Sequence, residues 1–80
     1  MKWFLYVLEC NDGTLYTGVT TDIDRRLSEH NTSKRGAKYT KMRRPVNLIY
    51  WLKFQDRSSA QKAEYSFKQL TREEKEKIIR

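Results

Sequence analysis

A single cysteine, a single histidine and the shortness of every apolar run set the first limits on this chain. With Cys10 alone, an internal disulfide is excluded, and so is a zinc site built on cysteine pairs. Cys10 falls at a predicted strand end, where it is expected to serve as a small packing residue. His30 alone excludes a multi-histidine metal site. The continuous apolar run, Trp3 to Leu8, is far too short to span a bilayer or to form a signal-peptide core. No transit-like segment precedes it, so the expectation is a cytoplasmic protein with no membrane association.

What the chain does carry is positive charge: 17 Lys and Arg against 10 Asp and Glu, a formal net charge of +7. That balance favours polyanions, nucleic acid before an anionic membrane surface. Its 80 residues make one expected domain, residues 1–80, near the size at which a single core is only marginally stable.

The order of elements reads strand, strand, helix, strand, helix, helix. This is a small α/β (α+β) layer structure with a three-stranded, mainly antiparallel sheet flanked by helices. Trp3 to Cys10 is rich in aromatic and branched residues and predicts a strand. Asn11-Asp12-Gly13 is a turn signal, and Thr14 to Val19 is the returning strand. A three-residue loop with Gly13 left-handed puts Leu8 opposite Tyr16 and Tyr6 opposite Gly18, with both tyrosines on one face. A two-residue loop would put them on opposite faces. Thr20, Thr21 and Asp22 offer N-caps for a helix from about Ile23 to His30. Residues 32 to 44 predict a basic loop or short irregular helix closed by Pro45, and Val46 to Phe54 a third strand. Asp56 to Ser58 lead into a helix over residues 58 to 70, and Thr71 with Glu74 is a capping box opening a last short helix.

Glu64 interrupts that long helix's apolar stripe of Ala60, Ala63, Phe67 and Leu70. A carboxylate there is costly to desolvate without a cation, which could be a protein group or a metal ion. Lys68, one turn later, is the protein candidate. Other residues carry similar double readings. Tyr6 and Tyr16 suit a small sheet as core residues, and Arg26 suits a solvated helix face. Arg26 and His30 are four apart and share a face, and His30 could simply be a charge-favoured residue at a helix end. Gly18 inside a strand suggests close approach of a ligand or another backbone. Trp3 and Trp51 are expected core aromatics without a site role.

Taken together, Leu5-Tyr6-Val7, Tyr16-Thr17-Gly18, Arg26, His30 and Glu64 resemble the GIY-YIG nuclease superfamily over nearly the whole chain. His30-Asn31, Gly36 to Thr40 and Arg44-Pro45-Val46 resemble its small, single-domain bacterial branch. The chain departs from the name's tripeptides, with Phe4-Leu5-Tyr6 and Tyr16-Thr17-Gly18, and has Val19 where excision-repair relatives carry a lysine. No asparagine follows Glu64, as one does in some relatives. The resemblance implies an endonuclease hydrolysing phosphodiester bonds, in DNA more readily than RNA, with Tyr6, Tyr16, Arg26, His30 and Glu64 catalytic. It implies one magnesium or manganese ion on Glu64, weakly bound until a substrate phosphate completes the oxygen ligands. A tyrosine, Tyr6 with Tyr16 positioning the water, would be the base or its hydrogen-bonding partner. Arg26 would supply positive charge and hold a phosphate oxygen, and His30 would either relay the proton or fix the tyrosine by a hydrogen bond. The basic segment of Lys34, Arg35, Lys38, Lys41, Arg43 and Arg44 would contact the phosphate backbone, and Tyr39 could stack on an unpaired base. The competing reading is a nucleic-acid-binding module that keeps the fold without turnover. A homodimer or partner protein is an open source of targeting that no residue here identifies.

Overall fold

The computed structural model describes residues 1–79. A three-stranded sheet, ordered β2-β1-β3 and antiparallel throughout, forms its middle layer. Strand β1 (Trp3–Glu9) lies at the centre, flanked by β2 (Leu15–Thr20) and β3 (Asn47–Phe54). Leu5, Tyr6, Val7 and Leu8 of β1 are all buried, because a central strand covered on both faces has no solvent side.

Two apolar clusters result, one on each face. On one face Tyr6, Leu8, Cys10 and Val46 pack with Tyr16, Leu48 and Leu27 of helix α1 (Ile23–Thr32). On the other, Leu5 and Val7 meet Phe67, Ala63 and Leu70 from helix α3 (Arg57–Lys68) and its exit, and Ile79 from helix α4 (Arg72–Ile79). A bulge in β3 lets Ile49 and Tyr50 both join this second cluster, since Val7 faces Tyr50 while Leu8 faces Leu48.

The hairpin settles the turn question in favour of the longer loop. Cys10 N donates to Thr14 O at 2.8 Å, Gly13 N donates to Cys10 O at 2.9 Å, and Gly13 takes φ +84°. Asp12 Oδ1 accepts from the Thr14 amide and hydroxyl, which stiffens the turn. The register follows: Leu8 faces Tyr16 and Tyr6 faces Gly18.

Helix ends are set by side chains. Asp22 Oδ1 accepts from Arg25 N to start α1, and Asp56 Oδ1 accepts from Ser59 N to start α3. The capping box of α4 is reciprocal: Thr71 N donates to Glu74 Oε1 and Glu74 N to Thr71 Oγ1. Helix α1 runs to Thr32, beyond His30, and the basic segment contains the short helix α2 (Lys38–Lys41). Arg44 closes the end of α1, with Nε donating to His30 O at 2.6 Å and a terminal nitrogen to Ser33 O at 2.6 Å. Among the described residues no helix is long and apolar enough to cross a membrane.

Trp51 corrects the expectation of a core aromatic. It is 52% exposed, because β3 is an edge strand; the tryptophan makes an edge-to-face contact with Phe4 at 5.9 Å. Trp3 is half-buried, with the Arg57 guanidinium 5.3 Å from its ring.

Candidate functional site

The hairpin register brings the two tyrosines to one face, with ring centroids 6.4 Å apart. From α1, opposite that face, His30 completes a three-ring cluster, 5.7 Å from Tyr6 and 5.1 Å from Tyr16. The phenol oxygen of Tyr6 lies 2.8 Å from His30 Nε2, a buried hydrogen bond between residues distant in sequence. Gly18 exists for this arrangement. A Cβ there would lie 2.5 Å from the Tyr6 phenol oxygen and 2.7 Å from its ring carbon. The close approach expected at Gly18 is therefore that of the Tyr6 side chain, not of a ligand or another backbone.

Arg26, one turn before His30, lies near enough to the same phenol for its positive charge to favour the phenolate. It also donates to Glu29 Oε1 at 3.0 Å and to Arg35 O at 2.7 Å, so the guanidinium ties α1 to the basic loop. Glu29 was not singled out in the sequence, although an acid three residues after an arginine on a helix is a readable ion-pair signal. Glu64 approaches from α3 near enough for its charge to raise the Tyr6 phenol. It is partly buried, with 22% of its side chain exposed, and Lys68 reaches it at 3.2 Å. The protein cation offered by the sequence is thus in place.

Electrostatics sets the protonation states. Burial pushes the Tyr6 phenol up to about 12, against a smaller opposite pull from Arg26. The charge expected to activate this tyrosine is present, but desolvation outweighs it. Burial also holds His30 down to about 4, helped by the Arg26 and Arg44 guanidiniums. His30 is therefore a neutral acceptor inside the fold rather than a charged residue at a helix end.

A stability consequence follows from that depression. The unfolded chain binds a proton at His30 near pH 6.5, whereas the folded chain resists until about pH 4. Stability from this group is complete above pH 6.5 and is lost as pH falls through that window. By pH 4.5 the loss should reach about 2–3 kcal/mol. Thermal melts at pH 7 and pH 4.5 check this, and His30→Gln should shrink the difference. Equal melting temperatures at the two pH values would contradict a buried neutral imidazole.

The basic segment divides. Lys34, Arg35, Lys38 and Lys41 are exposed and enter no ion pair among the described residues. Arg44 is corrected from a phosphate contact to a helix cap, because its guanidinium is spent on the carbonyls of Glu29, His30 and Ser33. Arg43 is paired with Asp12 at 2.9 Å and lies 3.8 Å over the Tyr39 ring. Tyr39 in turn stacks on Tyr16 at 6.0 Å, so it is half committed to holding the site rather than wholly free for a base. Asn31 brackets the backbone of Val46, accepting from its N at 2.8 Å and donating to its O at 3.0 Å.

Among the described residues no group of three His, Cys, Asp or Glu side chains could hold a metal ion. A hard divalent ion does not need such a group. It can rest on one carboxylate while keeping several waters and borrowing a substrate oxygen, and Glu64 fits that demand.

Residues 2–77 match the GIY-YIG catalytic domain. The UPF0213 protein DP2720 of Desulfotalea psychrophila is 53% identical over 78 residues, covering 98% of this chain and 71% of that protein. The UPF0213 protein SAG0778 of Streptococcus agalactiae is 58% identical over 72 residues, covering 90% and 81%. Among solved structures, the solution NMR structure of EF2693 from E. faecalis is 47% identical with a TM-score of 0.65, covering 98% of this chain and 83% of that one. The UPF0213 protein BH0048 of Bacillus halodurans is 44% identical with a TM-score of 0.64, covering 99% and 83%. With the domain match spanning nearly its whole length, this chain belongs to the GIY-YIG catalytic domain family.

Proposed function

We propose that this protein is a divalent-metal-dependent endonuclease acting in the cytoplasm on phosphodiester bonds of DNA, in structured or single-stranded regions. The observation that carries the reading is the buried Tyr6–His30 hydrogen bond, with Arg26 on the same phenol and Glu64 within electrostatic reach. A base, a proton acceptor, a phosphate clamp and a metal-binding acid are what phosphodiester hydrolysis asks of a protein.

Glu64 would hold the ion, and the ion when bound supplies Lewis-acid stabilisation of charge on the phosphate and the leaving oxygen. The remaining work belongs to this chain. Arg26 offers a planar fork to a non-bridging phosphate oxygen. Tyr6 and Tyr16 place the attacking water. Because Tyr6 keeps its own proton at neutral pH, it can take one from water only by passing its own to His30 Nε2. A bound phosphate favours that transfer, since it offsets the Arg26 charge that helps hold His30 low.

Lys34, Arg35, Lys38 and Lys41 are exposed in the segment that follows α1, and their charge suits a phosphate backbone without reading sequence. Replacing all of them with glutamine should weaken DNA binding and flatten its salt dependence by roughly 3–4 in the slope of log K against log salt. An unchanged slope would mean that DNA lies elsewhere.

The deciding experiment offers branched, single-stranded and duplex DNA to the protein with magnesium or manganese, with and without a chelator. Strand scission that requires the ion supports the enzyme. One observation favours a binding module instead: Lys68 already supplies Glu64 with a cation. Salt-sensitive binding to all three DNAs, with no cleavage of any, would establish that alternative.

A further inference from the structure

We propose that Thr40 fixes the tautomer of His30, keeping the imidazole proton on Nδ1 so that Nε2 presents a lone pair to the Tyr6 phenol. As a statement about a proton the inference stands on the hydrogen bonds alone. As a statement about catalysis it rests on the nuclease reading above.

Both residues are fully buried, so neither can turn to water for a partner. The Thr40 hydroxyl donates to Ala37 O at 2.8 Å. A hydroxyl has one proton to give, and with that proton used its oxygen can only accept. The atom facing the oxygen, at 2.9 Å, is His30 Nδ1. Nδ1 must then carry the hydrogen. In a neutral imidazole this leaves the lone pair on Nε2, where the Tyr6 hydroxyl stands 2.8 Å away and donates.

A rival arrangement exists, because Ala37 N also points at His30 Nδ1, at 3.3 Å. If that amide held the Nδ1 lone pair, the Thr40 hydroxyl would have to leave Ala37 O and turn toward Nδ1. Nε2–H would then donate to the Tyr6 oxygen, and the phenol's own proton, given to Nε2 in the first arrangement, would have to find a new acceptor. The first arrangement keeps the two shorter contacts, at 2.8 and 2.9 Å, and leaves long only the 3.3 Å approach of the Ala37 amide. Geometry therefore favours Nδ1–H.

Gly36 explains how a threonine from the basic segment reaches the histidine. A Cβ at Gly36 would lie 2.6 Å from Glu29 O and 2.9 Å from the His30 Cα, so glycine lets the loop press against the end of α1. Thr40 then follows on α2. The basic segment thus does more than offer charge to DNA: it carries the group that orients the relay.

The consequence for hydrolysis is a proton path with every atom assigned. As the water oxygen bonds to phosphorus and the bond to the leaving oxygen breaks, the water proton goes to the Tyr6 oxygen, and the leaving oxygen departs as an alkoxide that takes a proton from solvent. The Tyr6 proton goes to His30 Nε2, and the resulting imidazolium keeps its Nδ1–H on Thr40 Oγ1. Thr40 touches neither substrate nor water, which makes it a positioning residue.

The test is long-range ¹H–¹⁵N correlation spectroscopy of the single imidazole in the full chain at neutral pH, alongside single-turnover cleavage. Wild type should show the Nδ1–H form. Thr40→Val, which removes the hydroxyl at similar volume, should shift His30 toward Nε2–H and lower the cleavage rate about 10-fold without weakening DNA binding. Thr40→Ser should restore both. An Nε2–H imidazole in wild type overturns the proposal, as does an Nδ1–H imidazole that persists in Thr40→Val. The wild-type spectrum decides even where the valine variant does not fold. If the tautomers behave as stated while no DNA is cut, the tautomer assignment stands and the nuclease reading falls.

Discussion

Glu64→Gln is expected to reduce strand cleavage by roughly 100-fold or more while DNA affinity stays level or rises. The two halves of that result have separate causes. In the proposed reaction this carboxylate holds the divalent ion, and among the described residues no cluster of three ligating side chains stands ready to replace it. Glutamine keeps the shape but removes the charge. It also releases Lys68 from its 3.2 Å pair, adding uncompensated positive charge that favours the DNA phosphates. Single-turnover cleavage and anisotropy titration on the same oligonucleotide separate the effects. Cleavage at the wild-type rate would remove Glu64 from the mechanism. A parallel fall in affinity and rate would assign it to structure.

Gly18→Ala should be nearly as damaging, through one methyl group that touches no substrate. The added carbon would sit 2.5 Å from the Tyr6 oxygen, closer than any real Cβ contact. The phenol cannot swing away freely, because Tyr6 is buried and His30 holds its oxygen at 2.8 Å. Either the hairpin opens or the phenol leaves its partners. The expected cost is about 1–3 kcal/mol of stability and a 10- to 100-fold loss of cleavage by the folded fraction. Gly13→Ala serves as the control. Gly13 is at φ +84° with nothing within 4 Å of the added carbon, so strain there should lower stability by about 1 kcal/mol and leave cleavage per folded molecule unchanged. Urea titration and cleavage rates on both variants distinguish strain in a turn from displacement of a phenol.

Much of this architecture was readable because local chemistry and long-range pairing agree. The Asn11-Asp12-Gly13 turn fixed the hairpin register, and the register put Tyr6 and Tyr16 on one face. Thr71 and Glu74 marked a helix start that the hydrogen bonds reproduce. The misses share a cause: they depend on which layer lies over a residue, and one strand's sequence does not encode its neighbours. Trp51 looks like a core residue, yet it sits on an edge strand whose α1-side face is only partly covered. Arg44 looks like a phosphate contact, yet the chain folds back and leaves it facing the last carbonyls of α1. Gly18 signalled a close approach correctly in kind, but the approaching group was a side chain across the hairpin.

Protonation was the least legible layer. An arginine placed to activate a tyrosine is visible in sequence; the burial that overrides it is not. Thr40 is the clearest case, a small polar residue in a lysine-rich segment with no pattern to mark it. Its meaning emerges only when Gly36 lets the loop close on α1 and the hydroxyl meets an imidazole at 2.9 Å.

Titrating the ¹⁵N-labelled chain with manganese ion, in the presence of a short DNA carrying a cleavage-resistant phosphorothioate linkage, probes the meeting of cation and phosphate most directly. Paramagnetic broadening should centre on Glu64 and reach Tyr6, Tyr16 and Arg26, and it should vanish in Glu64→Gln. Broadening centred instead on Asp22 and Asp24 or on the acidic start of α4, with the tyrosine cluster untouched, would contradict a single site for hydrolysis.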